Sequence, residues 1–167
     1  RTYLKSSVLV ETDWSDDTGR LWSLLGGLSF DDNNRGASDV SPMARLEVTG
    51  IPGFGEQSTL YADVSRSTQV PGYTAIASNP AGGLFRGNPN LGREFATNYE
   101  LGLMTQSGNF TLQAAVFLRE DRDLVDWTFV FDVFGRTANN VDIDTTGLEL
   151  VASYDLEKGR IVLGYMG

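Results

Sequence analysis

The chain has 167 residues, the size of one ordinary domain, and its 22 acidic against 13 basic residues give a formal net charge of −9, which argues against a nucleic-acid partner. It contains no His and no Cys, which excludes histidine bases, thiolate nucleophiles, zinc–thiolate sites and disulfides. Its apolar runs are far shorter than the ~18 residues of a membrane helix, which leaves membrane strands open.

Period-two alternation runs through nearly the whole sequence and predicts eight strands, at 3–14, 20–31, 42–50, 58–67, 95–106, 109–130, 139–155 and 160–167. In the second strand Trp22, Leu24, Gly26, Leu28 and Phe30 share one face, with Ser23, Gly27, Ser29 and Asp31 on the other. Ala44, Leu46 and Val48 alternate with Arg45, Glu47 and Thr49, and Leu60, Ala62 and Val64 with Tyr61, Asp63 and Ser65. Tyr99, Leu101 and Leu103 alternate with Glu100 and Gly102, and Phe110, Leu112, Ala114, Val116 and Leu118 with Thr111, Gln113, Ala115 and Arg119. Leu148, Leu150, Ala152 and Tyr154 alternate with Gly147, Glu149 and Ser153. The pattern is an all-β, antiparallel up-and-down meander with one apolar and one polar face.

The connections divide into two kinds. Those at 15–19, 51–57, 107–109 and 155–159 are short, whereas those at 32–41, 67–94 and 131–138 are longer, and the two kinds alternate. Outer-membrane barrels sort their connections in this way, with tight turns at one rim and elaborated loops at the other. Trp14, Trp22, Phe110 and Tyr154 all lie on the apolar face beside a short turn, where an interfacial aromatic girdle would be.

Three stretches resemble the C-terminal half of a TonB-dependent outer-membrane receptor. Leu60-Tyr61-Ala62-Asp63-Val64-Ser65-Arg66, followed by Gln69-Val70-Pro71, resembles the family's strand ending in Ser-Arg and the apolar-Pro step after it. Gly87-Asn88-Pro89-Asn90-Leu91-Gly92-Arg93-Glu94 with Asn98-Tyr99-Glu100-Leu101-Gly102 is similar to the family's GNPxLxxE…YELG signature. Asp123-Leu124-Val125-Asp126-Trp127, then Asn140-Val141-Asp142 and Gly147-Leu148-Glu149-Leu150, resembles a further family segment and its return strand.

The resemblance implies that residues 1–167 are part of a 22-stranded transmembrane barrel, the plug domain and remaining strands lying elsewhere in a longer polypeptide. It implies a Gram-negative outer-membrane location, a wall facing lipid, and energising by the TonB complex. The cargo would be a scarce nutrient: a siderophore-iron chelate first, with cobalamin or a glycan as alternatives. No enzyme activity, cofactor or resident metal is implied by it. Arg66, Pro71, Gly87, Asn88, Pro89, Leu91, Glu94, Tyr99, Glu100, Gly102, Gly147 and Glu149 are the motif residues, read as architectural. Glu100 and Glu149, with Arg45, Glu47, Asp63 and Arg119, fall on the polar face, where ion pairs against a plug would form.

The longest connection, 67–94, carries Tyr73, Phe85 and Arg86, aromatic and cationic groups of the kind that hold a chelate or glycan by stacking and charge. They are the candidate ligand-binding residues. Asp31-Asp32-Asn33-Asn34 with Asp39 offers oxygen ligands of the type calcium takes, but the spacing fits no EF-hand and reads as an exposed turn. Asp121 and Asp123 have no partner acid at a hydrolase spacing. Two further architectures fit the alternation. One is a complete eight-stranded barrel of structural or adhesive role, closed by Val8–Val10 against Ile161–Leu163. The other is a soluble carbohydrate-binding β-sandwich.

Overall fold

The computed structural model describes residues 3–34, 36–54, 57–129 and 135–167. Its strands are β1 (Tyr3–Ser15), β2 (Leu21–Asn33), β3 (Gly36–Thr49), β4 (Thr59–Gln69), β5 (Phe85–Arg86), β6 (Glu94–Ser107), β7 (Phe110–Phe129), β8 (Arg136–Leu156) and β9 (Gly159–Met166). A short helix, α1 (Tyr73–Ala77), lies between β4 and β5. The eight long strands are those the alternation predicts, and each pairs antiparallel with its neighbour in the chain. The addition is β5, two residues of the longest connection that pair parallel with β8, Phe85 beside Arg136 and Arg86 beside Thr137.

Register converts the one-strand pattern into a continuous surface. Leu24, Leu46, Ala62, Leu101, Val116 and Leu148 stand directly opposite one another across β2, β3, β4, β6, β7 and β8. Because side chains alternate with period two, the whole row shares one face. Val116 is 50% exposed, and Leu24, Leu28, Leu148 and Leu150 are exposed with it, while Leu112 is half-buried. Prolines and glycines aside, the buried apolar residues among those described are Ala75 and Ala138. A soluble domain with apolar side chains on this scale packs them inside, whereas here they cover a face.

Every described strand belongs to one sheet, so the two packed sheets of a sandwich are absent among the described residues. The small closed barrel fails as well. β1 pairs with β2, β9 pairs with β8, and no pairing joins Val8–Val10 to Ile161–Leu163 among the described residues. All thirteen residues of β1 and all eight of β9 are exposed. Two open edges with apolar side chains have no place in water or in lipid, because unpaired backbone groups need partners in either.

Antiparallel pairing puts the turns after β1, β3, β6 and β8 at one rim and the other connections at the opposite rim. Contacts at each rim agree: Thr105 Oγ1 donates to the Phe54 carbonyl at 2.6 Å at the first, and the Arg136 N–H to the Leu84 carbonyl at 2.7 Å at the second. Connection length does not follow parity as the sequence predicts. The link expected at 32–41 shrinks to 34–35, since the ladder runs on through Asp31 opposite Asp39 and Asn33 opposite Gly36. The turn between Thr49 and Thr59 is longer than that. What alternates is strand reach: β2–β3 and β7–β8 project as hairpins beyond the apolar rows. The tip of the second hairpin, predicted at 131–138, falls partly outside the described residues.

The aromatic pairs close the apolar face at the short-turn rim. Trp14 and Trp22 are opposite in register and stack at 6.2 Å with 8° between planes, and Phe110 is opposite Tyr154. The turn at 16–20 holds the first pair. The Asp16 carboxylate accepts from the Thr18 N–H and hydroxyl, the Arg20 N–H and the Trp22 indole N–H, the last at 3.1 Å. These donors hold the Asp16 carboxyl well below the usual carboxylate range, the Thr18 hydroxyl contributing most.

Candidate functional site

The loop rim is built on the stretch between β4 and β6. Pro71 is buried where this stretch leaves β4, and Tyr73 opens α1 with 68% of its surface exposed. The chain then crosses to the far edge of β8, where β5 pairs. Phe85 sets its ring edge-on to Trp127, 5.3 Å between centroids and 82° between planes. Arg86 lies next to it on the opposite face of β5. Phe85 and Arg86 are thus fixed by backbone pairing beside the β7–β8 hairpin, and Tyr73 stands on a separate element of the same loop.

Gly87 shows why its motif needs glycine. A Cβ there would lie 2.6 Å from the Ser78 carbonyl oxygen and 2.8 Å from the Ser78 nitrogen, so the backbone after β5 passes directly against the end of α1. The Asn88 N–H then donates to the Ala75 carbonyl at 2.7 Å, and the Asn88 side chain accepts from the Asn90 N–H at 3.0 Å, closing an Asx turn around the exposed Pro89. The half-buried Leu91 donates its N–H to the Asn88 carbonyl. Glu94, buried, accepts from Gln69 Nε2 at 2.9 Å and its carbonyl from Thr68 Oγ1 at 3.0 Å, tying the start of β6 to the end of β4. These bonds join the loop base to the ends of β4 and β6.

Arg93, inside the same signature, has no feature in the sequence that sets it apart, yet it is the most buried cation of the site. It is 7% exposed; its Nη1 donates to Asp31 Oδ1 at 2.7 Å, its Nη2 to the Asp31 carbonyl at 3.4 Å, and its Nε to the Ala37 carbonyl. β3 leaves β4 above Met43, and the Arg93 side chain spans the gap to clamp the β2–β3 hairpin to the loop base. Asp31 and Asn33 are accordingly buried, Asn33 Nδ2 donating to Asp31 Oδ1 at 3.3 Å. The exposed turn predicted at 31–34 is instead the end of a strand with its carboxylate neutralised. No cluster of three metal-ligating groups occurs among the described residues.

Below this rim the polar face forms a wall. Arg45, Asp63 and Glu100 are aligned across β3, β4 and β6, and Arg45 pairs with Glu47 at 2.5 Å while its guanidinium lies 4.1 Å over the Tyr61 ring. Tyr61 donates its hydroxyl to Glu100 at 2.6 Å. Gly102, opposite Tyr61, leaves the room the ring occupies, since a Cβ there would meet it at 2.2 Å; Gly147 does the same for Phe117. Glu149 stands on this face opposite Ala115, and Arg119 makes a two-oxygen pair with Asp121. Arg66 and Tyr99 are on the other face, Arg66 4.5 Å over the Phe95 ring and 3.7 Å from Asp39. The polar face carries a recess of about 130 Å³ lined by Gln69, Glu94, Arg119 and Asp121, and one of about 360 Å³ lined by Gln113, Val151, Ser153 and Val162.

The chain is similar to known proteins in both sequence and fold. The sequence matches the family described as TonB dependent receptor-like, beta-barrel, over residues 6–167. No curated protein matches it by sequence search. Among solved structures it is similar to the siderophore receptor PirA from Pseudomonas aeruginosa, with 19% identity, TM-score 0.66, and 98% of this chain against 34% of that one covered. It is also similar to a mutant of the ferric enterobactin receptor PfeA from Pseudomonas aeruginosa in complex with enterobactin, with 20% identity, TM-score 0.69, and 97% against 26%. A third is the copper transporter OprC, with 19% identity, TM-score 0.66, and 98% against 29%. At these identities the likeness is one of fold, and the chain spans about a third or less of the length of each structure.

Proposed function

Since the chain belongs to the TonB-dependent receptor β-barrel family, we propose that it forms part of an outer-membrane receptor that takes up a scarce nutrient, a siderophore-iron chelate, with energy from the TonB complex. The observation that carries this reading is the row from Leu24 to Leu148. It is an exposed apolar face running in register across six strands, backed by a polar, charged face. Such a sheet has lipid on one side and a watery lumen on the other. The open edges of β1 and β9 then pair with further strands of the same barrel, residues 1–167 being one portion of it. A plug domain in another part of the polypeptide fills the lumen against Arg45, Glu47, Asp63, Glu100 and Glu149.

Cargo meets the loop rim, where Tyr73, Phe85 and Arg86 present two aromatic rings and a guanidinium to an anionic chelate. Of the similar structures one is a siderophore receptor, one a ferric enterobactin receptor and one a copper transporter, which supports a metal-bearing cargo over cobalamin or a glycan. The test is growth. Cells lacking their own siderophore receptors and carrying the full-length receptor are grown with a ferric siderophore as sole iron source, with and without TonB. Growth that needs both receptor and TonB supports the proposal. Growth indifferent to TonB, or restored only by cobalamin or glycan supply in matched assays, overturns the energising or the cargo assignment respectively.

A further inference from the structure

Asp123 is the one non-glycine residue at positive φ among those described, at 55°. That region costs most L-residues free energy and costs Asp and Asn least. Two hydrogen bonds hold it there: Asn140 Nδ2 donates to Asp123 Oδ1 at 2.9 Å, and the Asp123 N–H donates to Asp142 Oδ1 at 3.0 Å. The ladder shifts at this point. Asp121 faces Ile143, and the next pair is Leu124 with Val141, so two residues of β7 oppose one of β8. This is a β-bulge, which bends a strand and re-aims the side chains beyond it.

Its effect can be counted from the register. Trp127 is six residues beyond Asp121, and in an unbroken strand the two would share a face. Trp127 instead pairs with Ala138, five residues from Ile143 on β8, and so stands on the opposite face from Asp121. On that face it meets Phe85. The hairpin beyond the bulge also supplies the edge to which the loop is tied. Its Arg136 N–H donates to the Leu84 carbonyl at 2.7 Å, and Phe85 and Arg86 pair with Arg136 and Thr137. Gly135 passes so close that a Cβ would lie 2.7 Å from the Gly83 carbonyl oxygen.

We propose that Asp123, fixed by Asn140 and Asp142, is a positioning residue: its bulge turns the β7–β8 hairpin so that the loop at 70–93 seats on it and Phe85 and Arg86 are held in place. Only the last step, an effect on cargo, rests on the proposed receptor function. The experiment is amide hydrogen exchange on the full-length receptor and its D123A, N140A and D123N variants, read on peptides covering 82–88 and 135–138, with 110–118 as the folding control. D123A and N140A should raise exchange in both peptides about tenfold while 110–118 is unchanged. D123N, which keeps an acceptor oxygen and tolerates the backbone, should stay near the parent. Should D123A fail to assemble, N140A carries the test, because it leaves the backbone at 123 untouched.

Unchanged exchange in both variants, or D123N exchanging as fast as D123A, overturns the positioning role. Ferric-siderophore affinity is measured on the same preparations and should fall with the loss of protection. Faster exchange with undiminished affinity leaves the seating role standing and overturns the placement of cargo on this loop.

Discussion

Replacing Arg93 by Met should open the base of the loop rim without disturbing the barrel wall. In the parent the guanidinium makes three bonds, two to Asp31 and one to the Ala37 carbonyl, and both charged side chains are at most 8% exposed. Removing one member of such a buried pair leaves the other charge in a poorly solvating site, at a cost of about 3–5 kcal/mol. Asp31 keeps Asn33 at 3.3 Å and a hydrogen bond with Tyr3, both neutral, which places the cost near the lower figure, about 3 kcal/mol. One tenfold step is about 1.36 kcal/mol, so opening at the loop base should become about 10²-fold more frequent. Amide exchange of 36–38 and 94–97 reads this directly. D31N should act in the same direction, and the double variant D31N/R93M, which removes both charges, should recover most of the protection, giving a coupling of about 2–3 kcal/mol. Exchange unaffected by R93M, or a double variant as exposed as the two singles combined, would refute the clamp.

The same geometry fixes four further outcomes. Replacing Tyr73, Phe85 and Arg86 together by Ala should weaken ferric-siderophore binding by the full-length receptor on the order of 10²-fold with heat-modifiable gel mobility intact; unchanged affinity in a folded triple variant would move the site to other loops. Val116→Arg, in the middle of the apolar row, should cost about 2–4 kcal/mol in denaturant unfolding from vesicles, whereas Ala115→Arg on the polar face should cost far less. Gly102→Ala should displace the Tyr61 ring and break its hydroxyl bond to Glu100, seen as loss of the perturbed tyrosine signal in ultraviolet resonance Raman; Tyr61→Phe should reproduce the loss. At Asp16 the folded carboxyl is held below its unfolded value, so its contribution to the turn is present above the ordinary carboxylate pKa near 4 and is lost only as pH falls toward the folded value. Exchange protection of the Thr18 and Arg20 amides, corrected for intrinsic rates, should therefore hold from pH 7 to 4.

Strands were legible because period-two alternation runs through most of each one, an apolar side chain followed by a polar or small one. β4, β6 and β9 lie within two residues of where that signal places them. The β2–β3 hairpin was not legible between Asp31 and Pro42. Asp, Asn, Gly and Ser there carry turn propensity, and what keeps them in a ladder is Arg93, sixty-two residues away from Asp31. β8 starts at Arg136, three residues before the predicted start, since its first residues are held by β5 and the far loop. The bulge at Asp123 was hidden because an inserted residue leaves local composition unchanged and alters only the parity of the residues after it. Of the candidate site, Phe85 and Arg86 were visible as residue types in the longest loop. Trp127, which Phe85 touches, was visible only as part of a motif. The partners that position the site come from strands distant in sequence, and pairings of that kind leave no local periodicity.

The central claim is that one face of this sheet meets lipid and the other a lumen. Single spin labels placed in turn at residues 112 to 118 of β7 in the full-length receptor, reconstituted in a bilayer, test it through collisions with oxygen, which partitions into lipid, and with a water-soluble nickel chelate. Positions 112, 114, 116 and 118 should favour oxygen and 113, 115 and 117 should not, with a period of two. Accessibility without that period, or nickel access on both faces, would contradict it.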